Sequence, residues 1–383
     1  MRVLHFCSYY VTTPLYGRLI AEMDRRALEQ EVFIPTWTPR LLGHNRVDGL
    51  EHGSLHYVHA YGRVDRLTTR RKIRKAYAKF EATLDPRGVD MAHAHSLFIN
   101  GGMALRLKRE HGIEYVVAVR STDINLFLNY AIHLRSFGAS ILDEARHVVL
   151  ISPAYRDELL RRLEAGALRR AIEKKIRLIP NGIEDFWLEG RPPHRSRDSS
   201  VLRVLYVGNM LRPKNINMAM DAVEQLADRG RSVRFTIVGS GPHESSVNRR
   251  AKRRPDLFER LAWVESRREL LEIYRESDVF VMPSVRETFG LVYIEAMSQG
   301  IPVIHARGHG IDGYFVDGEV GRAVDPSNPM EIAAAIEDLA QRHDEVSPRA
   351  IATARSFSWG KVASAYEAIY SGRAVPGRWG SRQ

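Results

Sequence analysis

Residues 283–300 read Pro-Ser-Val-Arg-Glu-Thr-Phe-Gly-Leu-Val-Tyr-Ile-Glu-Ala-Met-Ser-Gln-Gly, and they follow the apolar run 279–282. The apolar run predicts a buried strand, and apolar residues at spacings of three and four predict a helix over 289–299. A helix that begins soon after a strand offers free backbone N–H groups at its first turn, and such groups bind anions. This stretch therefore predicts an α/β unit with an anion site at the start of the helix.

Two glutamates flank the start of that helix. Glu287 precedes it and Glu295 lies eight residues further along, which is about 12 Å at 1.5 Å per helical residue. Both carboxylates can then face one groove, at a separation that suits the two ends of a sugar nucleotide with its diphosphate at the helix start. The spacing alone fits equally well a helix-terminal carboxylate and an unrelated surface glutamate.

The alternation of strand and helix extends along the whole chain. In the first half, buried strands are predicted at 3–6, 32–34, 91–94, 115–119 and 147–151, with helices at 77–84, 102–110 and 154–164. In the second half, strands are predicted at 201–207, 233–238, 279–282 and 302–305, with helices at 217–229, 243–254, 270–275, 289–299, 329–341 and 358–370. Strands that alternate with such helices form βαβ units and parallel sheets, which predicts an α/β fold.

Residues 188–200 interrupt this alternation. They are rich in proline, serine and arginine without periodicity, which is typical of an exposed linker. We therefore expect an N-terminal domain over 1–187, a C-terminal domain over 201–355, and a terminal segment over 356–383. Because ligands of open parallel sheets bind outside the carboxyl ends of the strands, we expect two sheets that face each other across a cleft.

The composition excludes several classes of protein. The chain has 383 residues, 44% of them hydrophobic, and one cysteine, Cys7. One cysteine excludes a disulfide framework and any site with several cysteine ligands. The apolar runs have the length of strands, below the ~18–20 residues of a membrane span, and the N-terminus lacks the apolar region of a signal peptide. We therefore expect a cytoplasmic protein.

Positive charge is concentrated in one short stretch. The net charge is +11, and residues 63–79 contain Arg63, Arg66, Arg70, Arg71, Lys72, Arg74, Lys75 and Lys79. The second half of the stretch predicts a helix with an apolar stripe, from which Arg70, Arg71, Arg74 and Lys75 point outward. Such a face is either simply solvated or docks on the anionic inner face of a membrane, at ~1 kcal/mol per cation. A nucleic-acid-binding protein is the non-enzymatic alternative, but the charge is local and no nucleic-acid-binding motif is present.

Two further glycine turns follow predicted strands. Residues 206–215 read Tyr-Val-Gly-Asn-Met-Leu-Arg-Pro-Lys-Asn, so that Gly208 is followed by Arg212 and Lys214. These cations lie where a diphosphate leaving group needs its charge neutralised without a metal, although this segment taken alone favours a solvated basic turn. Residues 237–242 read Ile-Val-Gly-Ser-Gly-Pro and include Gly241, but they do not form the GxGxxG pattern.

In this order, the segments resemble the retaining glycosyltransferases of family 4, which have the GT-B fold. The resemblance rests on the Glu-x7-Glu segment with 296–303 after it, on Gly208 with Lys214, on 238–241, and on Ile-Pro-Asn-Gly-Ile at 179–183 and Phe-Ser-Trp at 357–359. It extends over residues 1–370 and is most specific in the C-terminal half. It implies two Rossmann-like domains and a last helix that crosses back to the first domain.

The resemblance also implies roles for individual residues. Glu295 is expected to bind the ribose hydroxyls of a nucleotide-sugar donor, Glu287 the hydroxyls of the sugar, and Lys214 the phosphates. The backbone at Phe289, Gly290 and Leu291 is expected to approach the donor, with Gly208, Gly241 and Gly17 as glycines near the nucleotide and diphosphate. The implied reaction needs no metal or other cofactor and transfers a hexose-type sugar by a front-side mechanism to a glycan or lipid-linked hydroxyl. UDP is favoured as the nucleotide, with GDP next, and a sugar-nucleotide epimerase of the same architecture is the alternative enzyme.

The chain departs from the family pattern at several positions. Asn209 stands where the family usually has arginine, and Arg212 is our candidate for the missing cation. The family often has His-Gly-x-Asp after the strand that corresponds to 115–119, whereas this chain has Arg120-Ser-Thr-Asp123. Arg120 can clamp an anionic group on either donor or acceptor.

Two further positions concern the base and a metal. Trp263 stands near the expected base pocket, where glycine is frequent. His93 and His95 lie on one side of a predicted strand, but no third ligand has a supporting spacing. We therefore expect no metal there, and we expect His95 to be a substrate-facing residue together with Arg120 and Asp123.

Overall fold

The structure is a computed structural model that describes residues 1–62, 65, 68–128, 131–190 and 200–375, with the backbone alone for 126–128. The chain forms two compact units. Among the described residues, the first contains Met1–Ile151, Tyr155–Asn181 and 359–375, and the second contains Ser152–Ala154, 182–190 and 200–358. The units thus change over at residue 182 rather than at the predicted linker, of which 191–199 lie outside the described residues.

The first unit contains a seven-stranded sheet in which every neighbouring pair of strands is parallel. The strand order is β3-β2-β1-β4-β5-β6-β7, which is the order of a Rossmann-like fold with one added strand. The strands are β1 Arg2–Phe6, β2 Glu29–Thr36, β3 Gly53–His59, β4 Met91–Ala94, β5 Tyr115–Val119, β6 His147–Leu150 and β7 Ile176–Leu178. The helices of the first half are α1 Leu15–Arg25, α2 Thr69–Glu81, α3 Ile99–His111, α4 Arg135–Glu144, α5 Pro153–Arg162 and α6 Ala167–Lys175.

The second unit contains a six-stranded sheet that is also parallel throughout. Before its first strand lies the short helix α7 Asp185–Leu188. The strands are β8 Leu202–Val207, β9 Val233–Val238, β10 Phe258–Leu261, β11 Val279–Met282, β12 Val303–Ala306 and β13 Gly321–Val324, in the order β10-β9-β8-β11-β12-β13. The helices are α8 Ile216–Asp228, α9 Glu244–Arg253, α10 Arg267–Arg275, α11 Leu291–Ser298, α12 Pro329–Gln341 and α13 His343–Ala354. The last helix, α14 Trp359–Tyr370, belongs to the first unit.

The predicted fold class is confirmed, since both sheets are parallel and alternate with helices. Strands β4, β5, β9 and β11 have the predicted bounds; β4, β5 and β11 are buried throughout, and β9 alternates buried apolar residues with two more exposed polar ones. Helix α11 begins at Leu291 rather than at Phe289, because Gly290 has a positive φ of 86° that ends the loop. Glu287 therefore lies in a loop, and Glu295 alone of the two glutamates lies on the helix.

Strand order locates the functional edge of each sheet. In the first sheet the order reverses between β1 and β4, and in the second between β8 and β11. Ligands of open α/β sheets bind outside the carboxyl ends of the strands at such a reversal. Most of the predicted site residues lie in the segments that follow β1, β4, β8 and β11, and in the segment that follows β5, the neighbour of β4.

No helix of the described residues is both long and apolar enough to cross a bilayer.

Candidate active site

In the second unit, the loops that follow β8 and β11 are bound to each other. The backbone N–H of Val285 donates to the carbonyl of Pro213 at 2.9 Å. Asn215, in the left-handed conformation at φ 58°, donates its side-chain amide to the carbonyls of Pro283 at 3.0 Å and Pro326 at 2.6 Å. These bonds hold Lys214 opposite the loop that contains Glu287.

Lys214 and Glu287 form the central contact of this edge. The ammonium of Lys214 donates to Oε2 of Glu287 at 2.5 Å, and Oε1 of Glu287 accepts the N–H of Thr288 at 2.9 Å. Glu287 is buried and Lys214 is half-buried. A lysine ammonium has three N–H donors, so that Lys214 can hold Glu287 and still donate to a bound oxyanion.

Two tyrosines near Glu287 have raised pKa values. Burial first, and then the carboxylate of Glu287, raise the pKa of both Tyr206 and Tyr293. Tyr206 donates to the carbonyl of Asn209 at 3.1 Å, and Tyr293 to the carbonyl of Met282 at 2.5 Å. Both phenols are therefore neutral at pH 7, and they stiffen the ends of β8 and β11.

Glu295 lies on α11 and is half-buried. Its Oε2 accepts a hydrogen bond from the hydroxyl of Tyr274 at 3.2 Å. Burial, and then the Glu295 charge, raise the pKa of Tyr274. The phenol therefore stays a donor that orients the carboxylate, and a carboxylate held in this way can accept a pair of hydroxyls.

The glycines of the two turns differ in what surrounds them. A Cβ at Gly239 would overlap the carbonyl oxygen of Gly208, and one at Gly241 would lie 2.9 Å from the backbone nitrogen of Met210. Gly239 and Gly241 are thus required by contact between the two turns. A Cβ at Gly208 would meet its first neighbour, Sδ of Met282, at an ordinary 3.5 Å, so that packing does not require glycine there.

The start of α11 combines a buried side chain with a backbone conformation that favours glycine. Phe289 is buried, with ring centroids 5.8 Å from those of Tyr314 and of Phe357. Gly290 has a positive φ, and a Cβ there would overlap the ring of Tyr293. With Phe289 in the core, what the Phe289–Leu291 segment can offer a ligand is its backbone.

Two residues expected near the donor are exposed. Arg212 forms no ion pair within the described part of the chain, and it lies at the start of the short turn that ends at Lys214. Trp263 has 56% of its surface exposed. Neither side chain is held in place by packing, in contrast to Lys214 and Glu287.

In the first unit, the structure brings a third histidine to His93 and His95. His5 on β1 is paired with His93 on β4, so that the three imidazoles lie on one face of the sheet. Nδ1 of His5 lies 3.0 Å from Nε2 of His95, and Nδ1 of His93 lies 2.6 Å from the hydroxyl of Tyr370. Sequence spacing indicated no third ligand, because spacing along one strand does not show which residue of the next strand lies beside it.

This histidine cluster (His5, His93 and His95) is buried and uncharged. Burial lowers the pKa of His5 to about 3 and the pKa values of His93 and His95 well below 6.5. Nitrogen ligands within 4.8 Å of one another are a potential metal site. The positive charge of Arg120, which further lowers the pKa of His93 and His95, also opposes a divalent cation there.

Arg120 and Asp123 lie in the segment that follows β5. Asp123 is buried, and its Oδ2 accepts the N–H groups of Leu97 at 3.0 Å and of Arg120 at 2.8 Å. Burial raises the pKa of Asp123 to about 6 despite these bonds. Nε of Arg120 donates to the carbonyl of His95 at 3.1 Å. The three predicted substrate residues of this unit are thus in direct contact.

Gly17 lies inside α1 and is buried. A Cβ there would lie 2.8 Å from Cγ2 of Val47 and 3.2 Å from the hydroxyl of Tyr10. Packing therefore accounts for glycine at this position, and the approach of a diphosphate to it stays a prediction.

The predicted basic helix is α2, and Arg70, Arg71, Arg74 and Lys75 are all exposed on it. Arg71 and Lys75 each form an ion pair with the buried Asp65 at 2.8 Å. Arg70 lies with its guanidinium 5.9 Å from the ring of Phe137. Sequence reasoning did not anticipate that Asp65 neutralises part of this face.

Comparison with known proteins agrees with this architecture. Residues 202–342 match the family model of the glycosyl transferases group 1, and residues 16–185 match that of glycosyltransferase family 4. D-inositol 3-phosphate glycosyltransferase of Corynebacterium diphtheriae is 26% identical over 253 residues, which are 61% of this chain and 58% of that protein's length. The chain thus spans less than two thirds of this relative.

Two solved structures share the fold over nearly their full length. A sucrose-phosphate synthase of Thermosynechococcus elongatus has a TM-score of 0.71 at 19% identity, over 97% of this chain and 98% of its own. HepE of Anabaena, in complex with UDP and glucose, has a TM-score of 0.65 at 15% identity, and the match covers 97% of this chain and 99% of HepE. At these identities the two structures establish the fold alone, and that fold is GT-B.

Two α/β units, each with a parallel sheet and one reversal point, form the GT-B fold that these structures share. With one family model matched in each half, the chain belongs to the group 1 glycosyltransferases, family 4.

Proposed function

We propose that the protein is a retaining, metal-independent glycosyltransferase that moves a hexose-type sugar from a UDP-sugar to a hydroxyl of a glycan or lipid-linked acceptor. GDP is the second candidate nucleotide. The observation that carries the proposal is the Lys214–Glu287 contact of 2.5 Å at the strand reversal of the second sheet. UDP and glucose bound to HepE, which shares the fold, support UDP as the nucleotide.

The donor would bind at the β8 and β11 edge of the second unit. Glu295, oriented by Tyr274, would accept the ribose hydroxyls, and Glu287 would accept hydroxyls of the sugar. Lys214 would donate its remaining N–H groups to the phosphates, beside the backbone of Phe289–Leu291. Gly208, which packing leaves open, would let the nucleotide approach the backbone.

The proposed reaction balances without a protein nucleophile. The bond between the anomeric carbon and the β-phosphate oxygen breaks, and a bond to the acceptor oxygen forms on the same face of the sugar. The proton of the acceptor hydroxyl moves to the departing phosphate oxygen. Lys214, with Arg212 as a second cation, would stabilise the charge that develops on this oxygen.

A transfer assay tests this proposal against the epimerase alternative. The full chain is incubated with UDP-glucose, UDP-galactose or GDP-mannose in chelator, with and without a panel of hydroxyl acceptors. We expect nucleotide release that depends on acceptor, and an α-linked product from an α-linked donor by proton NMR. Conversion of the donor sugar to its epimer without nucleotide release supports the epimerase instead. If neither reaction occurs with any of the donors, both proposed activities are contradicted.

We further propose that α2 docks the protein on an anionic membrane, where its acceptor would be lipid-linked. Arg70 and Arg74 form no ion pair within the described residues, whereas Asp65 neutralises Arg71 and Lys75. We expect the chain to sediment with anionic but not with neutral vesicles, and the doubly substituted Arg70→Gln, Arg74→Gln variant to lose this binding. Arg249→Gln with Arg253→Gln on α9 has the same spacing and charge change, and it should have no effect. Equal binding to both vesicles, or to neither, contradicts the proposal.

A further inference from the structure

Arg120 is held in place by three neighbours of the first unit. Its Nε–H donates to the carbonyl of His95 at 3.1 Å. Its guanidinium carbon lies 5.5 Å from the ring centroid of Tyr16, and it forms a hydrogen bond with the side chain of Tyr366. A guanidinium has five N–H donors in a planar fork, and these contacts occupy only two of them.

Within the described part of the chain, no carboxylate forms an ion pair with Arg120 at 4.0 Å or less. Asp123 is the nearby acid, but its Oδ2 is occupied by the backbone N–H groups of Leu97 and of Arg120 itself. Asp123 also has its pKa raised to about 6 by burial, which weakens its charge below neutral pH. The guanidinium is therefore not neutralised by direct contact with an acid.

The other titratable groups around Arg120 are uncharged at pH 7. The histidine cluster is neutral because burial lowers the pKa values of its imidazoles. Burial raises the pKa of the Cys7 thiol, of Tyr16 and of Tyr366, and raises that of Tyr9 to about 12. Apart from Asp123, which keeps most of its charge at pH 7 because its pKa is about 6, the groups around the half-buried Arg120 guanidinium are therefore neutral.

We propose that Arg120 binds an oxyanion that the acceptor substrate carries, a phosphate, carboxylate or sulfonate group, at the carboxyl edge of the first sheet. An oxyanion would accept the free N–H donors of the guanidinium fork in a bidentate pair, which lysine or histidine cannot match. The inference rests on the proposed function, because it assigns the anion to the acceptor of that reaction.

The position favours the acceptor over the donor. The second unit has its own cation, Lys214, at the strand reversal where the diphosphate would bind. Arg120 follows β5 in the first unit, next to β4, and contacts His95 beyond the reversal point of that sheet. Arg120 and Lys214 are thus cations near the strand reversals of two different sheets, which suits two anionic groups on two different substrates.

Phosphate binding to the full chain tests the inference. The protein is first saturated with UDP in chelator, so that the diphosphate site is filled, and is then titrated by calorimetry with inorganic phosphate. Glucose 6-phosphate and glucose serve as a second pair of probes. We expect phosphate and the sugar phosphate to bind, glucose to bind at least tenfold more weakly, and Arg120→Gln to weaken phosphate binding at least tenfold. Arg170→Gln on the exposed side of α6 is the control and should change nothing.

Other results would contradict parts of this account. No phosphate binding to the UDP-saturated wild type, or equal binding to wild type and Arg120→Gln, overturns the inference while UDP binding leaves the proposed function standing. A tenfold loss of UDP affinity in Arg120→Gln assigns the anion to the donor and overturns the acceptor assignment. If the wild type does not bind UDP, the proposed donor is wrong, and titration without UDP still tests Arg120.

A second variant keeps the test valid if Arg120→Gln does not fold. Arg120→Lys retains the charge but not the planar fork. We expect its phosphate affinity to fall severalfold with an unchanged melting temperature, and an unchanged affinity would contradict a bidentate site.

Discussion

The carboxyl edges of the two sheets differ in how their charged side chains are arranged. In the second unit, the charges form a contact pair, with Lys214 and Glu287 2.5 Å apart in bonded loops. In the first unit, three buried and neutral histidines lie beside Arg120, whose guanidinium forms no ion pair within the described residues. We propose that the first arrangement exchanges one anion for another during the reaction, whereas the second holds one anion in a fixed place. The difference suits a unit that stabilises a leaving group and a unit that positions a substrate.

Replacing Lys214 should have the largest effect on the second unit. Lys214→Met removes the cation expected to neutralise the leaving phosphate, and turnover should fall by about 10²–10³-fold, as when one stabilising donor of developing charge is lost. Arg212→Met removes an exposed cation of the same turn and should cost less. Steady-state kinetics with the two variants measures the contrast, and a retained turnover in Lys214→Met contradicts the role given to this lysine.

Substitutions at two turn glycines, Gly239 and Gly208, can distinguish a glycine required by packing from a glycine required for nucleotide binding. Gly239→Ala forces a methyl group into the carbonyl of Gly208 and should destabilise the protein by about 1–3 kcal/mol, since a tight contact with backbone cannot relax easily. Gly208→Ala meets only Met282 at 3.5 Å, so that it should fold normally yet bind nucleotide more weakly. Thermal melts and nucleotide titration of the pair distinguish the two roles. Normal nucleotide affinity in Gly208→Ala contradicts the proposed approach at this turn.

Acid should destabilise the first unit through its histidines. Their pKa values are lowered in the folded state, so that the unfolded chain binds more protons below pH 6.5. Their contribution to stability is present above pH 6.5 and is lost as the pH falls toward the folded pKa values, by up to about 1.4 kcal/mol per pH unit for each histidine. Asp123 acts in the opposite direction, because its raised pKa adds stability as the pH falls from above about 6 toward 3.8.

Variants of the cluster test this slope. His93→Gln should reduce the pH dependence of the free energy of unfolding by about one proton. Tyr370→Phe removes the hydroxyl next to His93 but no histidine, and should leave the slope unchanged. Urea unfolding between pH 4 and 7 measures both, and an equal slope in wild type and His93→Gln would show that this imidazole is charged in the folded protein.

The sequence predicts the central strands well and the sheet edges poorly. β4 and β5 are short apolar runs, buried on both faces, and their bounds follow from composition alone. β3, at an edge of the first sheet, mixes histidine, serine and tyrosine in a half-buried strand, and β13, at an edge of the second, contains glycine and arginine and is only partly buried. Such edge strands depend on a neighbour for their conformation, which local pattern does not show.

The sequence indicated individual candidate residues of the site, but it did not indicate which of them contact one another. Glu287 and Lys214 stand out from their positions after strands, yet their ion pair joins residues that are 73 positions apart. His5 joins His93 because β1 lies beside β4, and Tyr366 reaches Arg120 because α14 packs in the first unit. These contacts depend on strand order and on the path of the last helix, which a single sequence does not specify.

Calorimetric titration of UDP, GDP and ADP in chelator, on the wild type and on Glu295→Ala, tests the nucleotide site most directly. We predict selective binding of one nucleotide to the wild type without metal, and an affinity at least tenfold lower in Glu295→Ala because the ribose hydroxyls lose their acceptor. Unchanged affinity in the variant would contradict the assignment of Glu295. No binding of any nucleotide to the wild type would contradict the proposed donor site itself.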